Sequence, residues 1–172
     1  LSRLYYQDNN LRKAITTIKS AYENEPENVA VMTQLGELLR QDTKTEEAIS
    51  ILKMATQLAP MDPSAWTNLG VAFQHGGAEA DARIAYEKAL SLNPRSAVIS
   101  NNLGALAKKS GEWGAASEHF ERAIDLEPNI AESHSNLGIV QKEMGRLKEA
   151  EASFVQAIAL SPNNADAYNN LG

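Results

Sequence analysis

The sequence predicts an all-α protein made of antiparallel helix-turn-helix hairpins that recur every 34 residues. Three observations carry that prediction. Pro26, Pro60, Pro94, Pro128 and Pro162 stand at a fixed spacing of 34 residues. Alanines keep the same register, as Ala14, Ala48, Ala82, Ala116 and Ala150 and again as Ala21, Ala55, Ala89, Ala123 and Ala157. A Leu-Gly pair recurs at Leu35-Gly36, Leu69-Gly70, Leu103-Gly104, Leu137-Gly138 and Leu171-Gly172, with Leu1-Ser2 as the one departure. Such a period marks a repeat architecture.

Within a unit, Trp66, Leu69, Ala72 and Phe73 follow helical spacing, and Ala82, Tyr86, Ala89 and Leu90 do the same later. Each set reads as an amphipathic helix with one buried stripe. Gly76 and Gly77 lie between the two, with Gly111 and Gly145 at equivalent places. A glycine there takes the left-handed conformation that ends a helix. Asn9 is expected to do likewise at some cost, and Thr43 fits less well. The recurring proline follows the second helix, which it cannot extend. Asn28, Asp62, Ser96 and Asn164 then offer side-chain oxygens to the next helix's free N–H groups. Ile130 breaks that column, and Asn129 is expected to serve instead. Pro63 occupies a tolerated first-turn position. The Gly and Ala columns let helices cross closely. One hairpin cannot bury its own stripe, so hairpins must stack.

The balance of 16 basic and 22 acidic residues, a formal net charge of −6, argues against nucleic acid, whose binding needs concentrated Lys and Arg. It also argues against docking on anionic membranes. No stretch reaches the roughly 18 apolar residues of a membrane span. With no cysteine, disulfides and thiolate metal sites are excluded. The chain begins at Leu1, so it is expected to be a fragment whose leader or anchor could have been removed. Its compartment is open, with the cytoplasm favoured.

Trp66, Leu69, Gly70, Phe73, Ala82, Tyr86, Ala89 and Pro94 match the W-x2-L-G-x2-Y, A-x3-F, A, P pattern at every offset, one aromatic exchanged for another. The sequence therefore resembles the tetratricopeptide repeat family. The resemblance covers the whole chain, as one solenoid fragment at 1–172 with repeats at 1–28 (partial), 29–62, 63–96, 97–130, 131–164 and 165–172 (partial). It implies a right-handed superhelical solenoid. Ala107 and Gln141 depart from a usually aromatic column, and Ser100 and His134 from the Trp66 column. Large neighbours such as Trp113 are expected to compensate. Because no polar cap is visible, end-to-end self-association of the solenoid is possible.

The resemblance also implies that the first helix of each hairpin lines a concave groove. The residue before each Leu-Gly pair, Gln34, Asn68, Asn102, Asn136 and Asn170, would face it. Asn offers donors and an acceptor together, so it can pair with a peptide bond without reading a side chain. First helices lie roughly 10 Å apart, a span that three extended residues cover. This ladder resembles the repeat arm of O-linked N-acetylglucosamine transferases. Alternatively, the asparagines serve only to join neighbouring helices. Arg40, Lys108 and Lys142 share a further inner column, where they engage acidic groups or form a solvated face. The carboxylate clamp of chaperone-binding members looks absent, since its positions hold Thr67, Asn101 or Ser135, and Val71, Ala105 or Ile139.

His75, His119 and His134 occupy different columns, so no metal pair forms on one helix. No phosphate loop or nucleophile elbow appears. The expectation is a non-catalytic module with no cofactor or metal, whose partner is another protein or an extended peptide segment. The alternatives are the substrate-recruiting arm of a larger glycosyltransferase-like enzyme and a self-assembling scaffold.

Overall fold

The computed structural model describes residues 2–162, with side chains from residue 10 onward. Among the described residues every regular element is an α-helix. Chain contacts resolve two compact units, Leu1–Asn93 and Pro94–Gly172. The first holds α1 (Ser2–Asn24), α2 (Val29–Gln41), α3 (Thr45–Leu58), α4 (Pro63–His75) and α5 (Glu79–Leu92). The second holds α6 (Ala97–Lys109), α7 (Trp113–Leu126), α8 (Ala131–Glu143) and α9 (Leu147–Leu160). The packed hairpins are α2/α3, α4/α5, α6/α7 and α8/α9.

Each turn inside a hairpin follows one recipe. Thr43, Gly77, Gly111 and Gly145 take φ of 60°, 76°, 73° and 76°. In the second of these turns the Gly77 N–H donates to the Gln74 carbonyl and the Ala78 N–H to the Phe73 carbonyl, at 3.1 and 2.9 Å. This double closure is the Schellman ending of a helix, and it needs a left-handed residue. Asn9 departs from the recipe. α1 runs unbroken through it for 23 residues, so the first partial repeat is one helix, not a hairpin. Asn enters the left-handed region at a cost glycine does not bear. Continuing α1 through this position adds one backbone bond per residue.

The caps between hairpins follow the sequence with one correction. The Asn28 side chain accepts from the Ala30 and Val31 N–H groups, Asp62 from Ser64, and Ser96 from Ile99. α8 instead is flanked by Ile130 and has no side-chain cap, and Asn129 does not stand in. A capping oxygen must come from the residue flanking the helix to reach the second or third helical N–H, and Asn129 is one residue too early. Asn164 lies outside the described residues.

Both units close their hairpins by setting a glycine of the first helix against a large residue of the second. Gly36 faces Leu52 and Gly70 faces Tyr86 in the first unit; Gly104 faces Phe120 and Gly138 faces Phe154 in the second. Tyr86, Phe120 and Phe154 are fully buried. Each such side chain contributes about 1.5–3 kcal/mol through removal from water. Where the second unit carries Ala107 in place of an aromatic, Trp113 packs against the cluster of Ala107, Ala116, Phe120, Leu137 and Val140. Where it carries Gln141, that buried amide accepts a 2.7 Å bond from the Ser153 hydroxyl. His134 takes over the role of Trp66. Its Nε2 lies 2.8 Å from the Pro128 carbonyl, as the Trp66 indole N–H donates to the Pro60 carbonyl at 2.9 Å.

Candidate functional site

In each unit the first helices of successive hairpins are neighbours, α2 beside α4 and α6 beside α8. The residues singled out from the sequence sit on these helices. Gln34 on α2 is exposed; Asn68 on α4, Asn102 on α6 and Asn136 on α8 are half-buried. Asn170 lies outside the described residues. Asn68 and Asn102 make no side-chain hydrogen bond to another described residue, so their amides keep donor and acceptor capacity.

The basic column divides. Arg40 is held on its own helix by a forked bond, Nη2 to Glu37 Oε1 at 2.6 Å and Nε to Glu37 Oε2 at 3.0 Å. Gln41 donates to the same carboxylate at 2.7 Å. The Arg40 bond holds the Glu37 carboxyl below its ordinary value of 4.5, against a smaller opposing effect of burial. Gln74, one repeat after Arg40, accepts a 2.8 Å bond from the Tyr86 hydroxyl. Burial raises the Tyr86 phenol well above its ordinary value. Lys142 is exposed.

Lys108 behaves differently. Its ammonium, half-buried near the end of α6, donates to Asn136 Oδ1 on α8 at 2.5 Å. Burial pulls its pKa below the ordinary lysine value, with the charge of Glu132 opposing that shift. The structure thus joins two residues that the sequence placed in separate columns. Beside them, Asn101 Oδ1 accepts from the Ser133 hydroxyl at 3.0 Å, and Asn101 Nδ2 reaches Glu132 Oε1 at 3.5 Å. Sequence reasoning weighed Asn101 only as a clamp position and did not single out Ser133. The signal was available in the spacing, because partners 28 to 32 residues apart lie just short of one repeat.

The clamp positions carry no cation: the Thr67 hydroxyl donates to the Pro63 carbonyl, Ser135 is buried, and Val71, Ala105 and Ile139 are half-buried. A surface hollow of about 460 Å³ lies elsewhere, at the turn between α2 and α3, where Thr43, Glu46, Ile49 and Gly76 line it. Among the described residues no group of three His, Cys, Asp or Glu stands together as metal ligands. No described helix is long and apolar enough to cross a membrane.

Comparison with known proteins agrees with this architecture. Two tetratricopeptide repeat models match, one over residues 1–63 and 34–97 and the other over residues 95–163. Among solved structures, MamA superposes with a TM-score of 0.79 at 24% identity, over 93% of this chain and 94% of that one. YrrB, a TPR protein with an unusual peptide-binding site, gives 0.76 at 23% identity, over 92% and 81%. The pilF protein of Pseudomonas aeruginosa gives 0.78 at 26% identity, over 83% and 65%. No curated protein matches the chain. The matched models span the repeats and the hairpins carry the family's Gly, Ala and Pro columns, so this chain belongs to the tetratricopeptide repeat family, whose hairpins are in general protein-interaction modules.

Proposed function

We propose that this chain is a non-catalytic interaction module that holds an extended polypeptide against the first helices of its hairpins. The observation that carries the reading is the state of Asn68 and Asn102. Both amides are half-buried on first helices, yet neither bonds to another described residue. Amides open to water exchange bonds to it for bonds to an incoming peptide group, at a net gain of about 0.5–1.5 kcal/mol per bond. Extended chain suits either amide, because its N–H and C=O groups are unpaired. Contacts of this kind read the backbone, so the module tolerates many sequences. YrrB, which shares the fold, is a TPR protein with an unusual peptide-binding site, which agrees with the same use here.

The experiment is a selection followed by NMR. A random nonapeptide library, capped at both ends and free of charged residues, is passed over the immobilised protein, and a retained peptide is titrated into 15N-labelled protein. The side-chain NH2 resonances of Asn68 and Asn102 should shift with peptide concentration. Retained peptides that move the surface of the second helices instead, leaving both amide pairs in place, would refute the reading.

A further inference from the structure

We propose that Met61, with Met54 as a second target, is an oxidative modification site: hydrogen peroxide converts its thioether to a sulfoxide while the fold stays intact. The site lies off the first helices and is independent of peptide binding.

The chain has four methionines and no cysteine. An oxidant therefore meets no thiol on it, and the thioethers are its softest nucleophiles. The fold sorts the four. Met61 is 72% exposed and Met54 42%, whereas Met32 is fully buried in the first unit. Met144 is half-buried against the cluster that contains Phe120.

Met61 is presented to water by a well-tied turn. The Asp62 N–H donates to the Ala59 carbonyl at 3.1 Å, which sets Pro60 and Met61 at the two central positions of a β-turn. Asp62 caps α4 by accepting from the Ser64 N–H at 2.8 Å, and the Trp66 indole N–H holds the Pro60 carbonyl at 2.9 Å. These bonds fix the backbone on both sides of Met61. The repeat equivalents of Met61 are Glu27, Arg95, Asn129 and Asn163, and those of Met54 are Ser20, Lys88, Arg122 and Gln156. Every other repeat fills both places with a polar side chain, so packing does not ask for a thioether at either. A sulfoxide, itself polar, suits these positions as it would not suit that of Met32.

The reaction needs only the peroxide and the sulfur. A sulfur lone pair attacks one peroxide oxygen, and the O–O bond breaks as the S–O bond forms. The departing hydroxide takes the proton of the transferred oxygen and leaves as water. The sulfur is oxidised by two electrons and the peroxide is reduced by two. At Met32 the same attack must wait for local opening of the first unit.

The test exposes the whole chain to millimolar hydrogen peroxide at neutral pH and locates each added oxygen over time by fragment-ion mass spectrometry. Met61 should react first and Met54 next, with Met61 ahead of Met32 by at least about tenfold, because burial admits the oxidant only through opening. In the urea-unfolded chain all four should react at similar rates. Protein oxidised at Met61 and Met54 should keep its helical circular dichroism and melt within about 4 °C of the untreated chain. Met54→Leu and Met61→Leu together, exchanges that conserve volume, should remove the fast phase of oxygen uptake. Similar rates at all four in the folded chain, or fast uptake that survives in the double variant, would overturn the proposal. So would the same order of reaction persisting in urea, which would make local sequence and not the fold the selector, or unfolding that accompanies oxidation of Met61.

Discussion

Gly70 and Tyr86 approach so closely that a β-carbon on the glycine would stand 2.6 Å from two atoms of the tyrosine ring, Cδ1 and Cε1. Tyr86 is fully buried and its hydroxyl is tied to Gln74, so the ring has little freedom to retreat. Gly70→Ala should therefore destabilise the protein by about 1–3 kcal/mol, the usual cost of overpacking. Gly114 in α7 is the control, because nothing lies within 4 Å of its β-carbon. Gly114→Ala should be stabilising by roughly 0.4–1 kcal/mol. Urea denaturation of the two variants checks the contrast, and equal effects would show that the contact does not limit the site.

Thr43 carries a strain that the other turns avoid. It takes φ of 60° where its three equivalents are glycine. A side chain in that region costs about 1–2 kcal/mol, and a β-branched one sits badly there. Thr43→Gly should raise the denaturation midpoint without changing the slope, even after the greater freedom of glycine in the unfolded chain is subtracted. A lower midpoint would mean that Thr43 makes contacts worth more than its strain.

Asn28 and Asn129 look alike in sequence and differ in function. Only Asn28 flanks a helix directly and accepts from its backbone, at 3.1 and 3.2 Å. Asn28→Ala should cost about 1 kcal/mol. Asn129→Ala, measured in the same denaturation series, should change stability by less than about 0.5 kcal/mol.

Glu37 links stability of the first unit to pH. Its folded pKa lies below the ordinary carboxylate value because Arg40 bonds its charged form. As pH falls, the unfolded chain takes up this proton first. The contribution of Glu37 is thus present above pH 4.5 and is lost as pH drops through the lower folded value. Glu37→Gln should flatten this part of the stability–pH curve while leaving its neutral-pH shape alone. An unchanged acid slope would remove the Arg40 pairing from the account.

The left-handed glycine turns and the close Gly crossings were legible in the sequence because each is imposed by one residue type at one place. Gly77, Gly111 and Gly145 announce their turns, and the Leu-Gly pairs announce where backbones meet. What the sequence hid was relational. Asn9 looked like a turn residue, but α1 runs through it, because asparagine enters the left-handed region at a cost that glycine does not bear. Asn129 had the right chemistry in the wrong position. The Lys108–Asn136 bond joins columns that are silent about each other until neighbouring first helices are set side by side. Arg40 and Lys108 share a column and a charge, yet Glu37 in one unit and Ala105 in the other give them opposite surroundings.

The central claim is that Asn68 and Asn102 serve a partner and not the fold. Replacing Asn68 and Asn102 together by Ala, then measuring both melting temperature and affinity for a peptide selected on the wild-type protein, tests it most directly. The account predicts a melting shift below about 4 °C and an affinity loss of at least about tenfold, roughly 1.4 kcal/mol. A large fall in melting temperature with affinity retained would contradict it.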